Sequence, residues 1–384
     1  MMLIFKLALK SLLGAGMRTW LNVVILSLAY VIIIIFNGVE DGARQKARTE
    51  SINWEYGQGQ LWYKTYDPYD PFTLQDAHGK LPSNVDTTHL VPILVRQGSI
   101  YPQGRMQTIN LKGIPVNQTA LALPTTFLDT TSTALPAIIG KRMAASTNLM
   151  QGDQVLIRWR DKNGTYDARE IVITKIFDSN VAGIDHGQVW LPIQKLQEMT
   201  GLKGQATLLI AEKGFEPVAL DQWHFKEQDA LLADIDALLA ADRMSGNIIF
   251  MLLLGMALLA IFDTQVLSIF RRQKEIGTFI ALGMTRPQVV TLFTVEGGAN
   301  SLLATVVGSL YGIPLLIYMA HAGLPIPSGI EGISISERIF PVYSIGLILG
   351  TIALVVISAT IVSFLPSRKI AKMNPTLALK GKLQ

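Results

Sequence analysis

Four uncharged or nearly uncharged apolar stretches constrain this chain more than any other feature. They are Trp20 to Gly38, Ile248 to Phe270, Val289 to Ala320 and Phe340 to Leu365. Asp263 is the only charge in the second and Glu296 the only charge in the third. A bilayer needs about 20 apolar residues in a helix, and buried helices of soluble proteins seldom run that long. Charged residues make up 16% of the sequence, against about 25% in soluble domains. The sequence therefore predicts four transmembrane helices. Lys6, Lys10 and Arg18 precede the first run, as in a secretory signal. The run is long for one, and Phe36-Asn37-Gly38-Val39-Glu40 offers no small-x-small cleavage site, so an uncleaved anchor is expected.

The loops predict orientation. Basic residues collect before the first run, in 271–288 and after Leu365; Glu275 is the only acid among those segments. The 321–339 loop has Arg338 against Glu331 and Glu337. By the positive-inside rule both termini and the 271–288 loop are cytoplasmic. Residues 39–245 then lie outside, with 20 basic and 24 acidic side chains. No basic face suited to nucleic acid is visible in that segment.

The expected organisation has three parts: 1–38 as an amphipathic entry helix and the first membrane helix, 39–245 as an extracytoplasmic α+β domain, and 246–384 as three further membrane helices with a cytoplasmic helix and a basic tail. In the middle part, Ile93 to Ile100, Met106 to Ile114, Gln154 to Trp159 and Glu170 to Phe177 alternate like strands. Ala134 to Leu149 reads as a strand entering a short helix, and Ile193 to Met199 as another helix. Glu40 to Trp54 extends the first membrane helix outward. Residues 219–243 read as an amphipathic helix on Leu231, Leu232, Ile235, Leu238 and Leu239.

Chemistry is sparse. With no cysteine there is no disulfide, thiolate metal site or cysteine nucleophile. Gly140-Lys141 lacks the rest of a phosphate loop, and no H-E-x-x-H or G-x-S-x-G is present. No catalytic, cofactor or metal residues are assigned. Asp185-His186 reads as a polar turn. Trp54, Trp62, Tyr63 and Tyr66 suit core packing better than ligand binding. Asp263 and Glu296 are either functional or paired between helices, and Gly297, Gly298, Gly308 and Gly312 suit close helix packing.

Residues 271–288 read RRQKEIGTFIALGMTRPQ. Ile276, Phe279, Ile280 and Leu282 give a short amphipathic helix that Gly283 ends. It suits either the headgroup surface or the docking of a cytoplasmic protein.

The pattern R-R-x-x-E-I-G-x-x-x-A-L-G-x-T-x-x-Q from Arg271 to Gln288 resembles the signature loop of the FtsX-like family of ABC-transporter permeases. Pro366 to Lys380, with Arg368, Asn374 and Pro375, is similar to that family's closing motif; Ala8 to Leu12 with Arg18 to Leu21 is similar to its entry helix. Ile139 to Ala144, Gln151 to Val155 and Ile176 to Asp185 resemble the MacB and LolC/LolE branch. Lys175 and Ile184 depart from the lipoprotein-releasing pattern, which has Gly and Tyr there.

The resemblance implies a non-catalytic inner-membrane permease subunit that works as a homo- or heterodimer. ATP and Mg would be handled by a separate cytoplasmic ABC ATPase. Arg271, Arg272, Glu275, Ile276, Gly277, Ala281, Leu282, Gly283 and Thr285 would contact that ATPase. Its strokes would pass mechanically to the outer domain, exporting or releasing a lipoprotein or hydrophobic cargo. The alternative is a scaffold that activates a cell-wall hydrolase.

Overall fold

A computed structural model describes residues 17–81, 89–129, 134–179, 181–217, 220–325 and 338–369. The described chain divides into two compact units. One holds residues up to Arg44, Leu239–Pro325 and the residues from Arg338 onward; the other holds Gln45–Leu238. The expected entry helix, and Asn374 and Pro375 of the closing motif, lie outside the described residues.

The first unit is built from helices. Helix α1 is Met17–Ser51, α2 is Gln228–Arg271, α3 is Gln273–Ala281, α4 is Arg286–Ala322 and α5 is Ile345–Ser367. The boundary between units falls inside α1 and α2. Helices α1, α2, α4 and α5 are long and apolar enough to cross a membrane. Their shared core joins Val23, Leu26 and Ile33 of α1 to Leu254, Ile261, Ala304, Val355 and Ala359. Met251, Leu252, Met256 and Leu259 of α2, and Ile345, Ile357 and Ile361 of α5, stay exposed. Such apolar faces would be unfavourable in water and suit lipid. Gly297 and Gly298 face Ser363 and Thr360 of α5, and Gly308 and Gly312 face Tyr30 and Val31 of α1, so the glycines lie at helix contacts. Helix α5 starts five residues later than the apolar run. Pro341 precedes it, and Ser344 caps it by accepting from the Leu347 N–H at 3.1 Å.

The second unit is rich in strands: β1 Gly59–Tyr63, β2 Gly79–Lys80, β3 Leu90–Ile100, β4 Gln107–Ile114, β5 Leu135–Gly140, β6 Gln154–Arg160, β7 Tyr166–Phe177, β8 Gln188–Pro192, β9 Gln205–Ala206, β10 Leu208–Ala211 and β11 Trp223–Glu227. Nine of these pair in the order β11-β1-β10-β3-β4-β8-β5-β7-β6. A further β3–β6 pairing, Gly98↔Trp159 to Ile100↔Ile157, closes six of them into a barrel. Closure pairs the edge that β6 would otherwise expose and leaves β11 at the other end of the sheet. Strict alternation in β6 turns Val155, Ile157 and Trp159 inward, where they meet Ile109, Leu111, Ile139, Ile171 and Val189. The short helix Ile193–Thr200 adds Ile193 and Leu196 to that core. Its end is tied by Trp159 Nε1, which donates to the Met199 carbonyl at 2.9 Å.

Residues 223–227 correct the expected 219–243 helix. They form β11, paired with β1 from Gly59↔Glu227 to Tyr63↔Trp223. Trp223 and Phe225 alternate with polar residues at period two. The helical leucine pattern starts only at Leu231, so the sequence changes period at the strand–helix junction.

Candidate functional site

The site begins where α2 ends. Arg271 closes α2, and a cation suits the partial negative charge of that terminus. Arg272 leaves helical geometry at φ −95°, ψ 18°, and α3 starts at the next residue. The Arg272 guanidinium is held on two sides. Nε donates to Glu275 Oε2 at 2.7 Å, and Nη1 donates to both carboxylate oxygens of Glu296 at 2.9 Å. It also lies over the Phe293 ring, 4.9 Å from its centroid. Glu296 therefore serves helix pairing. Its side chain is 9% exposed, where an unpaired carboxylate would be costly.

Below the arginine, Ile276 packs with Ile269, Val289, Val290 and Phe293, while Phe279, Ile280 and Met284 flank the cluster. Gly277 is buried beside Ile276. The helix end matches the sequence expectation. Gly283 takes φ +98°, which glycine adopts without Cβ strain. The Gly283 N–H donates to Ile280 and the Met284 N–H to Phe279, the paired bonds of a Schellman ending. Thr285 and Gln288 then form a capping box that starts α4, with Pro287 in its first turn.

Much of the 271–288 pattern thus has a structural role. Arg272, Ile276 and Gly277 fix α3 onto α4, Gly283 ends α3, and Thr285 begins α4. Arg271, Glu275, Ala281 and Leu282 remain exposed. Leu282 is an apolar side chain with 79% exposure. Together these four residues present a cation, an anion and an apolar tip on the outer side; of them, Glu275 also has an internal role, as an acceptor for Arg272.

The closing motif divides similarly. Pro366 is buried in α5, while Arg368 is exposed over the Phe364 ring at 5.8 Å. Asp263 is exposed, but the neighbouring Thr264 hydroxyl accepts from Asn22 of α1 at 2.6 Å.

The second unit revises one sequence reading and agrees with another. Asp185 is 1% exposed rather than part of a surface turn. It accepts the Arg142 backbone N–H at 3.2 Å and pairs with the Arg142 guanidinium at 3.3 Å. Burial nevertheless raises its carboxyl above the ordinary aspartate range. A Cβ on Gly140 would sit 2.1 Å from Asp185 Oδ1, so two separate family-like stretches meet here. The aromatics serve packing in part. Trp54 stacks on Phe177 at 5.7 Å, and Tyr63 meets Trp223 edge-on at 5.5 Å. Trp62 and Tyr66 also meet edge-on but line a cavity as well. Among the described residues, no group of three acidic or histidine side chains is placed to hold a metal.

The described chain thus has four helices long and apolar enough to cross a membrane, with a β-rich unit inserted between the first and second of them in sequence. Residues 247–375 match the FtsX-like permease C-terminal family, and that region is an FtsX-like permease domain. The chain is also similar to the pyoverdine export ATP-binding/permease protein PvdT of Pseudomonas syringae pv. tomato, 23% identical over 42% of this chain and 23% of the relative. The macrolide export ATP-binding/permease protein MacB of Neisseria meningitidis is 22% identical over 46% of this chain and 26% of its own length. The uncharacterized ABC transporter permease YknZ of Bacillus subtilis is 23% identical over 56% of this chain and 50% of its own. This chain thus spans half or less of each of these relatives.

Proposed function

We propose that this protein is the membrane subunit of an ABC exporter and that α3 docks on a cytoplasmic ATPase. One observation carries the reading: the inner face of α3 is pinned to α4 through Arg272 and Glu296, while Arg271, Glu275, Ala281 and Leu282 are left outward on a rigid base. A push on that ridge moves α4 with α3. The sequence has no phosphate loop, so ATP and Mg would be handled by a partner chain. Helices α1 and α2 run from the apolar segments into the β-rich unit without a break in helical structure. They would carry the stroke to a domain outside the cytoplasmic membrane, in an assembly of two permease copies. Two of the relatives are named for export, of pyoverdine and of macrolides, which favours export over hydrolase activation as the work of this chain.

Leu282→Asp combined with Arg271→Glu tests the docking claim. Both side chains are exposed, so the thermal midpoint should fall only slightly, by the effect of one reversed charge at the end of α2. Affinity purification from native membranes should lose the co-purifying ABC ATPase by roughly tenfold, about 1.4 kcal/mol of binding. Wild-type ATPase recovery and stimulation by the double variant would overturn the assignment.

A further inference from the structure

Lys112 is out of place in its strand. It lies on the outer face of the barrel in β4, opposite Val95 of β3 and Trp190 of β8. Residues on that face form an apolar cluster with Ile93, Val95, Ile114, Trp190 and Ile210. A hydrocarbon side chain would fit this position without cost, whereas an ammonium must lose water. Its Nζ stands 5.0 Å from the centroid of the Trp190 ring. The opposite charge that acts on it is Glu55, which lines the same cavity from a one-turn π segment, Ile52–Tyr56, that follows α1. π turns often mark functional positions.

Glu55 and Lys112 share one cavity of about 200 Å³, walled by Trp62, Tyr66 and Trp190. No ion pair or hydrogen bond joins the two charged ends among the described residues. Each feels the other only at a distance. Burial raises the Glu55 carboxyl and lowers the Lys112 ammonium, with each partner's charge opposing the effect of burial. The Trp190 indole N–H, fully buried, has no acceptor among the described residues. At the mouth, the Tyr69 hydroxyl donates to Asp234 of α2.

Two opposite charges held apart in an aromatic box call for a guest with the same two charges reversed. We infer that this cavity binds a small zwitterion of the α-amino-acid class with an apolar or aromatic side chain. Its ammonium sits on Glu55, its carboxylate on Lys112, and its side chain against Trp62 and Trp190. The ligand completes both charges at once, which neither side chain does alone. The cavity is framed by the end of the π turn and by Ala230, Leu231 and Asp234 of α2, so an occupied site ties these two segments together.

Isothermal titration of the full chain in detergent tests this with three probes. L-phenylalanine carries both charges, phenethylamine lacks the carboxylate, and 3-phenylpropionate lacks the ammonium. L-phenylalanine should bind one per chain, at least roughly tenfold more tightly than either analogue. Glu55→Gln should weaken L-phenylalanine and phenethylamine by that factor and leave 3-phenylpropionate nearly unchanged. Lys112→Met should show the mirror pattern. This ligand-by-variant cross separates a binding role from damage to the fold, which would weaken every probe alike. The inference is overturned by absence of saturable L-phenylalanine binding up to millimolar concentration in protein with a wild-type thermal midpoint. It is equally overturned if both variants bind L-phenylalanine as wild type does, or if they only become more heat-stable, which would make the charges a strain without a ligand.

Discussion

Arg272 shows how much a single side chain changes the reading of a motif. In the sequence it is one of two adjacent arginines, both candidates for docking. In the structure only Arg271 is free to meet a partner, because Arg272 is committed to Glu296. Replacing Glu296 with Ala leaves a guanidinium with 22% side-chain exposure short of its main acceptor. Unfolding in mixed micelles should then show a loss of about 3 kcal/mol. Arg272→Met with Glu296→Met should recover more than half of it, since removing both charges removes the desolvation cost. Additive losses would show the two residues to be uncoupled. A second residue-scale case is Gly297, where a Cβ would lie 2.1 Å from Ser363 Oγ and 2.4 Å from its Cβ. Gly297→Ala should cost about 2 kcal/mol from overpacking. Ser363→Gly should return part of that loss in the double variant, because it removes the colliding atoms. Proximity of these residues was legible only as a pair of glycines in an apolar run. The identity of Ser363 as the facing group needed the packed helices.

At the level of elements, the legible parts are those whose signals are local. The end of α3 was readable because a lone glycine after an amphipathic turn has one common meaning, and the Schellman bonds at Gly283 and Met284 bear that out. The strands β3, β4, β6 and β7 were readable from alternation. Strand β11 was hidden because only Trp223 and Phe225 mark its period before five helical leucine and isoleucine positions take over. Barrel closure between β3 and β6 was also hidden, since it joins Gly98 to Trp159 across a stretch that holds β4 and β5 and leaves no local pattern. Lys112 was missed for the opposite reason: one charge in an alternating strand looks like its solvent face. The local origin of the α3 ending makes a specific prediction. Nothing lies within 4 Å of a Cβ built on Gly283, so Gly283→Ala should act through backbone strain alone. The expected cost is about 1 kcal/mol. Amide exchange should quicken at Gly283 and Met284, with little change at Val289 and Val290. Equal acceleration across α4 would mean that the turn supports the helix pair as well as its own terminus.

For the whole molecule, the charge pattern and the four apolar helices lead to one further prediction, the sidedness of the membrane. The 271–288 loop carries Arg271, Arg272, Lys274 and Arg286, whereas the 39–245 segment is net acidic. Basic loops resist translocation and acidic ones do not. The loop with α3 should therefore face the cytoplasm and the β-rich unit the opposite side. The chain has no cysteine, so a single introduced thiol reports without background. Phe72 is 90% exposed in the β-rich unit and Leu282 is 79% exposed at the end of α3. Each accepts a cysteine without disturbing a core. In right-side-out membrane vesicles, a membrane-impermeant maleimide should label Phe72→Cys at once. It should label Leu282→Cys only after the vesicles are opened. Labelling in the reverse order would place α3 outside, where no ATP is supplied, and the exporter reading would fall with it. Equal labelling of both in sealed vesicles would put the two sites on one face. That outcome is incompatible with an odd number of crossings between residues 72 and 282, and α2 is the only described helix between those positions long and apolar enough to make one.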